Sequence, residues 1–255
     1  MSLLSDIKKK KQLVGTFVKT PDTIIMEVLA LSGLDYVILD AEHAPFGKKE
    51  LDQCIATCRL AGLSCVVRIE NSLPSTILSA LDSGATGIQV PHVKNAQQAR
   101  ELVKLCRYGD EGRGFAASTR PALFGNSTIS NHLEQSKEPL IIAQIEDIEG
   151  VNNLEEIVQV EGITAVFIGR VDLTVAYGET NPSADTILAA CLKICKIAGK
   201  YDKPIGIFLP NTEQLTWWQE NGVSLFAIGS EHMMIIDGFK EITARVHTNQ
   251  STIKE

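Results

Sequence analysis

The stretch Tyr36-Val37-Ile38-Leu39-Asp40-Ala41-Glu42-His43 decides the fold. A short apolar run rich in β-branched residues reads as a buried strand, and it ends abruptly in two carboxylates and an imidazole. The same arrangement recurs along the chain. Val66-Val67 is closed by Arg68, Leu140 to Ile145 carries Gln144 and runs into Glu146, and Ala165 to Ile168 leads into Gly169-Arg170-Val171-Asp172-Leu173. Each polar cluster would lie at the carboxyl end of a strand, and in a parallel barrel all those ends share one face. Distant residues would then converge on one cleft holding carboxylates, an imidazole and a guanidinium. That set suits metal-assisted chemistry on an anionic substrate.

Working outward, eight strand-like runs appear: Leu13 to Val18, Tyr36 to Leu39, Ser64 to Ile69, Gly87 to Val90, Leu140 to Ile145, Ala165 to Ile168, Pro204 to Leu209 and Leu225 to Ile228. Helical patterns separate them. Pro21-Asp22 opens one that ends at Gly33, Lys48 begins one that ends at Gly62, and Pro74 begins one that ends at Gly84. Strand-helix alternation argues for a parallel sheet covered on both faces, and eight repeats favour closure into a (β/α)8 TIM barrel. A Rossmann sheet would need Gly-x-Gly-x-x-Gly after the first strand, which Val14-Gly15-Thr16-Phe17 does not provide. A single domain is expected over 1–255, with its core at about 13–246. The pattern after Gly238 reads as a helix to Val246, and the polar tail, 247–255, reads as frayed. The connection from Lys104 to Glu138 is unusually long, so it is expected to cover or line the site mouth, with a subunit contact as the other reading and the two compatible.

Composition narrows the function. Over 255 residues, 44% hydrophobic and 22% charged residues are ordinary for an enzyme with a sizeable core. A net charge of -7 and a pI near 5.3 argue against nucleic-acid or membrane-surface partners, which select basic faces. The absence of an N-terminal apolar segment and of any bilayer-length run makes the cytoplasm the expected location. Among six cysteines, Cys54/Cys58 and Cys191/Cys195 are i,i+4 pairs without knuckle spacing or a histidine partner. They read as small buried helix residues in a reducing compartment.

Within the cleft, Glu146 and Asp172 are either two hard-oxygen ligands for a divalent cation or caps of the helices that follow. Gln144, two positions before Glu146, points to the same side of its strand and either holds a ligand oxygen or fills the barrel interior. Arg68 either stabilises an oxygen that becomes anionic or pairs with Glu42 or Glu70. His43, amid carboxylates, is a candidate general base, with a metal ligand or a plain turn as its other readings. His92, His132 and His247 receive no chemistry. His232 and the Gly229-Ser230 helix start are weak signals at the mouth. Lys19, the only lysine directly after a strand, would serve a Schiff-base aldolase, but its Thr20-Pro21 neighbours read as an ordinary helix entry, so it is taken as a solvated loop lysine.

Taken together, Asp40 to Pro45, Val67-Arg68, Val90-Pro91, Arg113-Gly114, Gln144-Ile145-Glu146 and Phe167-Ile168-Gly169 with Asp172-Leu173 resemble the class II pyruvate aldolases of the HpcH/HpaI family. The resemblance runs from about Gly15 to Gly229. It implies divalent-metal-dependent cleavage of a 4-hydroxy-2-oxo acid to pyruvate and an aldehyde. By the same resemblance, Glu146 and Asp172 hold Mg²⁺ or Mn²⁺, with Co²⁺ as a third candidate, and no organic cofactor is needed. Arg68 faces the keto oxygen, and Gln144 supports the metal shell. His43 moves the 4-hydroxyl proton, assisted by Asp40 or by Asp82 of a neighbouring subunit. Gly169, Arg170, Leu209 and Arg113 complete the expected substrate-binding set. Homo-oligomers, hexamers or trimers, with an exchanged C-terminal helix are implied as well. One departure stands beside the metal: the family's Gly-Pro-x-Asp is Gly169-Arg170-Val171-Asp172 here, and the extra guanidinium either binds a substrate carboxylate or turns outward.

Two rival readings stand beside this one. A citryl-type acyl-CoA lyase would want a basic groove, for which the long loop offers only Arg107, Arg113 and Arg120. A non-catalytic oxo-acid-binding barrel would not need the retained His43, Arg68, Glu146 and Asp172.

Overall fold

The computed structural model describes residues 2–109 and 111–252, with side chains through Thr248. Eight strands close into a parallel barrel in sequence order. They are β1 (Leu13–Val18), β2 (Tyr36–Asp40), β3 (Ser64–Arg68), β4 (Gly87–Val90), β5 (Leu140–Ile145), β6 (Ala165–Ile168), β7 (Ile205–Leu209) and β8 (Leu225–Ser230). The helices are α1 (Leu3–Lys8), α2 (Thr23–Ala30), α3 (Lys48–Ala61), α4 (Pro74–Asp82), α5 (Ala96–Cys106), α6 (Ile129–Gln135), α7 (Ile148–Asn152), α8 (Leu154–Val158), α9 (Arg170–Ala176), α10 (Asp185–Lys200), α11 (Leu215–Glu220) and α12 (Glu231–Thr252). The expected TIM barrel is therefore present, and each of the eight expected strands is found within a residue or two of its sequence bounds.

Local signals explain the helix ends. Asp22 caps α2 by accepting the Ile24 N–H at 2.8 Å, and Asn95 caps α5 through the Gln98 N–H at 2.9 Å. Pro74 occupies the first turn of α4, where its missing N–H costs nothing. Gly62 ends α3 at φ 74, a left-handed conformation that a side chain would strain.

Strand alternation divides the core in two. One set, including Val37, Leu39, Val67, Ile141 and Ile207, packs outward under the helices. The other, including Tyr36, Ile38, Val66, Ile142 and Leu225, fills the barrel, and Leu3 and Ile7 of α1 belong to it. Parallel register then stacks the polar ends: Asp40 lies opposite Arg68, and Arg68 opposite Gln89.

Two expectations change. The connection from α5 to β5 enters a strand at its amino end, so it belongs to the barrel end opposite the strand carboxyl termini. Its Arg120 grips Asp52 at 2.8 Å and the Ser83 carbonyl at 3.0 Å, fastening it against α3 and α4 rather than over the mouth. The C-terminal helix begins at Glu231, ahead of Gly238, and continues to Thr252. Every residue from Met234 to Thr248 is exposed, Ile236, Phe239 and Ile242 among them. Of the tail expected to fray, 253–255 lie outside the described residues. No helix among the described residues is long and apolar enough to cross a membrane.

Candidate active site

The strand carboxyl ends surround a cavity of about 510 Å³ lined by Lys19, His43, Arg68, Gln144, Gly169, Arg170 and Asp172, among others. Its floor is aromatic. Phe17 meets Phe167 edge-on at 6.3 Å and Phe208 at 5.8 Å, and the Arg68 guanidinium stacks 4.7 Å above the Phe17 ring.

Asp40 organises one wall. It is fully buried and accepts Arg68 Nε at 2.9 Å and Nη2 at 2.8 Å, a two-pronged pair that fixes the guanidinium plane. Lys19 Nζ donates to the same carboxylate at 2.6 Å. Burial alone would push the Asp40 carboxyl up, but the hydrogen bonds and charges of Arg68 and Lys19 outweigh it and hold the group below its ordinary value. Lys19 is thus an ion-paired wall residue, not the solvated loop lysine expected: Val18 pairs with Leu39 in the barrel, which sets Lys19 beside Asp40. Glu231 fastens this corner by accepting the backbone N–H groups of Lys19 at 2.8 Å and Thr20 at 2.6 Å. His232 lies 2.9 Å from the Thr20 hydroxyl. Glu42 approaches Arg68 Nε at 3.3 Å, so the expected Arg68–Glu42 pairing coexists with an inward-facing arginine.

His43 sits in the turn after β2, its N–H donating to Asp40 at 3.1 Å and its ring 3.7 Å from Glu42. With 56% of its side chain exposed, the imidazole is at the rim, able to exchange protons with solvent.

Glu146 lies behind the Gln144 that lines the cavity and is 2% exposed. One oxygen accepts the His92 N–H at 2.8 Å, and the other accepts the Gln144 amide, whose own oxygen accepts from Gln89. Burial raises the Glu146 pKa, the negative charge of Asp172 adds to that, and the Gln144 and His92 hydrogen bonds oppose it without prevailing. Gly169 permits this packing, because a Cβ there would lie 2.6 Å from Glu146 Oε2. Asp172 follows in the first turn of α9 and faces the same cavity.

The donor set bears on the expected cation. Among the described residues no group of three or more His, Cys, Asp and Glu side chains could hold a metal unaided. Two carboxylates of the Glu146 and Asp172 kind, leaving other positions to water and substrate, suit Mg²⁺ or Mn²⁺, which retain several waters. A buried carboxylate destabilised by a second carboxylate is also what a cation would relieve. The residues therefore fit the group.

Leu209 and Arg113 do not meet in this cavity, nor does Asp82, which was expected at a neighbouring subunit's site. Leu209 is fully buried beneath the helices, and Phe208, one residue earlier, faces inward instead. Asp82 closes α4 and lies 3.8 Å from Arg113, whose guanidinium covers the Tyr108 ring at 4.0 Å. Both belong to the α4–α5–β5 side of the chain and neither lines the cavity. Conversely, His92 was missed. Its φ of 54, directly after Pro91, turns the ring over the site, where Nδ1 is 3.0 Å from Asp147 and 3.5 Å from Glu146. Burial would lower the His92 pKa, but the Asp147 hydrogen bond and the Glu146, Asp147 and Glu42 charges raise it overall. Its place at the end of the Gly87-Ile88-Gln89-Val90 run was the available signal.

Known proteins are similar to this chain in sequence and in structure. A 5-keto-4-deoxy-D-glucarate aldolase of Klebsiella pneumoniae is 35% identical over 86% of this chain and 86% of its own length. A 2-dehydro-3,6-dideoxy-6-sulfogluconate aldolase of Pseudomonas putida is 30% identical over 96% of each chain. The crystal structure of the citrate synthase SbnG, 28% identical, superposes with a TM-score of 0.85 over 100% of this chain and 99% of that one. With residues 13–238 matching the family pattern, the chain belongs to the HpcH/HpaI aldolase/citrate lyase family.

Proposed function

We propose that the protein catalyses divalent-metal-dependent retro-aldol cleavage of a 4-hydroxy-2-oxo acid to pyruvate and an aldehyde, and the reverse condensation. The observation that carries the reading is one cavity lined by Arg68, which Asp40 fixes, by Asp172, and by Gln144 backed by the Glu146 carboxylate, with His43 at its rim. Glu146 and Asp172 would hold Mg²⁺ or Mn²⁺, which when bound supplies Lewis-acid polarisation of the 2-oxo group.

The side chains divide the remaining work. His43 removes the 4-hydroxyl proton, and the C4 oxygen becomes the aldehyde carbonyl as the C3–C4 bond breaks. The released electron pair moves from C3 toward the C2 oxygen, where Arg68 donates hydrogen bonds to the developing enolate. Protonation at C3 gives pyruvate, so atoms and charge balance without an oxidant or reductant. Asp40 keeps the Arg68 fork aimed, and Gln144 and the His92 N–H keep Glu146 turned inward.

A homo-oligomer, hexamer or trimer, is part of the proposal. The exposed apolar face of α12 would be exchanged between subunits, and Asp82 with Arg113 would serve a neighbour's mouth rather than their own.

Deuterium exchange of the pyruvate methyl group in D₂O, followed by NMR, tests enolate formation without knowledge of the aldehyde. Exchange that requires Mg²⁺ or Mn²⁺ and falls about 10²- to 10³-fold in Arg68→Ala is expected. Metal-independent exchange trapped by borohydride would transfer the chemistry to a Schiff-base lysine. Absence of exchange under every condition would favour a citryl-type acyl-CoA reaction or a non-catalytic binder.

A further inference from the structure

Gln89 has no task in the retro-aldol steps, yet it is built into the site. It stands on β4 between Ile88 and Val90, which pack outward under the helices, so alternation turns its side chain into the barrel. There it is fully buried, in register with Arg68 on one side and Ile142 on the other. Its Nε2 donates to Gln144 Oε1, and Gln144 Nε2 donates in turn to Glu146 Oε2. Gln89 Oε1, by contrast, has no hydrogen-bond partner among the described residues. A buried amide oxygen without a donor is a cost that cores avoid, and a methionine would fill a similar volume without it. Packing therefore does not account for an amide at this position.

The direction of the hydrogen bonds does. A carboxylate that serves a cation is ionised, and an ionised carboxylate only accepts. Gln144 must then turn its NH₂ end to Glu146 and its oxygen away, toward β4. A donor at position 89 rewards that orientation, whereas without one the Gln144 amide can turn over and set its oxygen against the Glu146 carboxylate. Because Gln144 lines the cavity, the same choice decides whether the wall beside Glu146 presents hydrogens or an oxygen.

We propose that Gln89 is a positioning residue that acts through Gln144, fixing which way the Gln144 amide faces and thereby aiming Glu146 at the cation. The inference rests on the aldolase reading for the identity of the cation site, but it is measured without turnover.

Electron paramagnetic resonance titration of Mn²⁺ into the metal-free full-length protein, with calorimetric melting of the same samples, compares wild type with Gln89→Met, Gln144→Met and the double variant. Gln89→Met should weaken Mn²⁺ binding about 10-fold, the lower end for residues standing behind a metal ligand. Its metal-free melting temperature should stay at or above the wild-type value, because the orphaned oxygen is gone and Gln144 borders a cavity where water can meet its own. In the Gln144→Met background the same change should have no further effect on Mn²⁺ affinity, since the route it acts by is already cut. Unchanged Mn²⁺ affinity in Gln89→Met, a loss accompanied by a lower metal-free melting temperature, or an equal loss in both backgrounds would overturn the proposal. Gln89-dependent Mn²⁺ affinity in a protein that never exchanges pyruvate protons would leave the relay standing and sink the aldolase reading. Metal-dependent exchange with the same Mn²⁺ affinity in wild type and Gln89→Met would do the opposite, and a wild type that binds no Mn²⁺ would overturn both.

Discussion

Replacing Gly169 with alanine isolates the contact on which the placing of Glu146 depends. The new methyl would sit 2.5 Å from Glu146 Cβ and 2.6 Å from Oε2, so Glu146 must retreat by about 0.9 Å to reach an ordinary 3.4 Å contact. It cannot retreat freely, because Gln144 and the His92 N–H hold its two oxygens. Overpacking costs about 1–3 kcal/mol, and a strained hydrogen bond to a buried charge adds about 1 kcal/mol. At roughly 2–4 °C per kcal/mol for a chain of this size, the melting temperature should fall by about 4–16 °C. Displacing a ligand of this kind by about 1 Å should weaken Mn²⁺ binding 10- to 100-fold and slow pyruvate proton exchange about 10²-fold. Electron paramagnetic resonance titration of Mn²⁺ and calorimetric melting read the two effects separately. Gly199→Ala is the control, since nothing lies within 4 Å of a Cβ there and its φ is not left-handed. It should leave Mn²⁺ affinity unchanged. Wild-type Mn²⁺ affinity in Gly169→Ala would refute the claim that Gly169 clamps the carboxylate.

Acid should expose the Asp40 network. Its carboxyl is held below its ordinary value, so the stability it supplies is complete above the unfolded pKa of about 3.9 and is lost as pH falls through the lower folded value. The melting-temperature gap between wild type and Asp40→Asn should thus be constant from pH 7 to about 5 and shrink below about 4. A gap that stays constant down to pH 3 (about 1 unit below) would contradict the pairing. Chelation with EDTA should abolish exchange, and Mg²⁺ or Mn²⁺ at roughly 100 times Kd should restore it while adding about 2.7 kcal/mol of stability. Unchanged melting on metal addition would count against the Glu146 and Asp172 pair. Finally, Phe239→Asp with Ile242→Asp should dissociate the oligomer in light-scattering chromatography, and an unaltered mass would remove α12 from the interface.

The barrel was legible because β-branched runs such as Leu140 to Ile145 alternate with capped helices, and local physics suffices for both. Glu146, Asp172, Arg68 and His43 were legible for the same reason, being the residues just past those runs. Lys19 was misread because its partner lies 21 positions away on the neighbouring strand, and only barrel register joins them. Leu209 was misread by one step of alternation, since the inward position is Phe208. Arg113 sits on a helix-to-strand connection, which closes the other end of its own barrel, so the sequence could not say whose mouth it would serve. His92 depended on a left-handed turn after Pro91 that no periodicity announces.

The filled interior gives the cavity a further property. From α1 upward, Leu3, Ile7, Leu13, Ile38, Ile142 and the Phe17, Phe167 and Phe208 rings pack the barrel beneath the cavity, so the mouth is the way in and out. Glu146, 2% exposed, lies behind the lining of this well while His43, 56% exposed, stands at its lip. In the proposed reaction the aldehyde half therefore departs first and the pyruvyl half follows it, and in condensation pyruvate must go in ahead of its partner. Architecture alone would impose a queue.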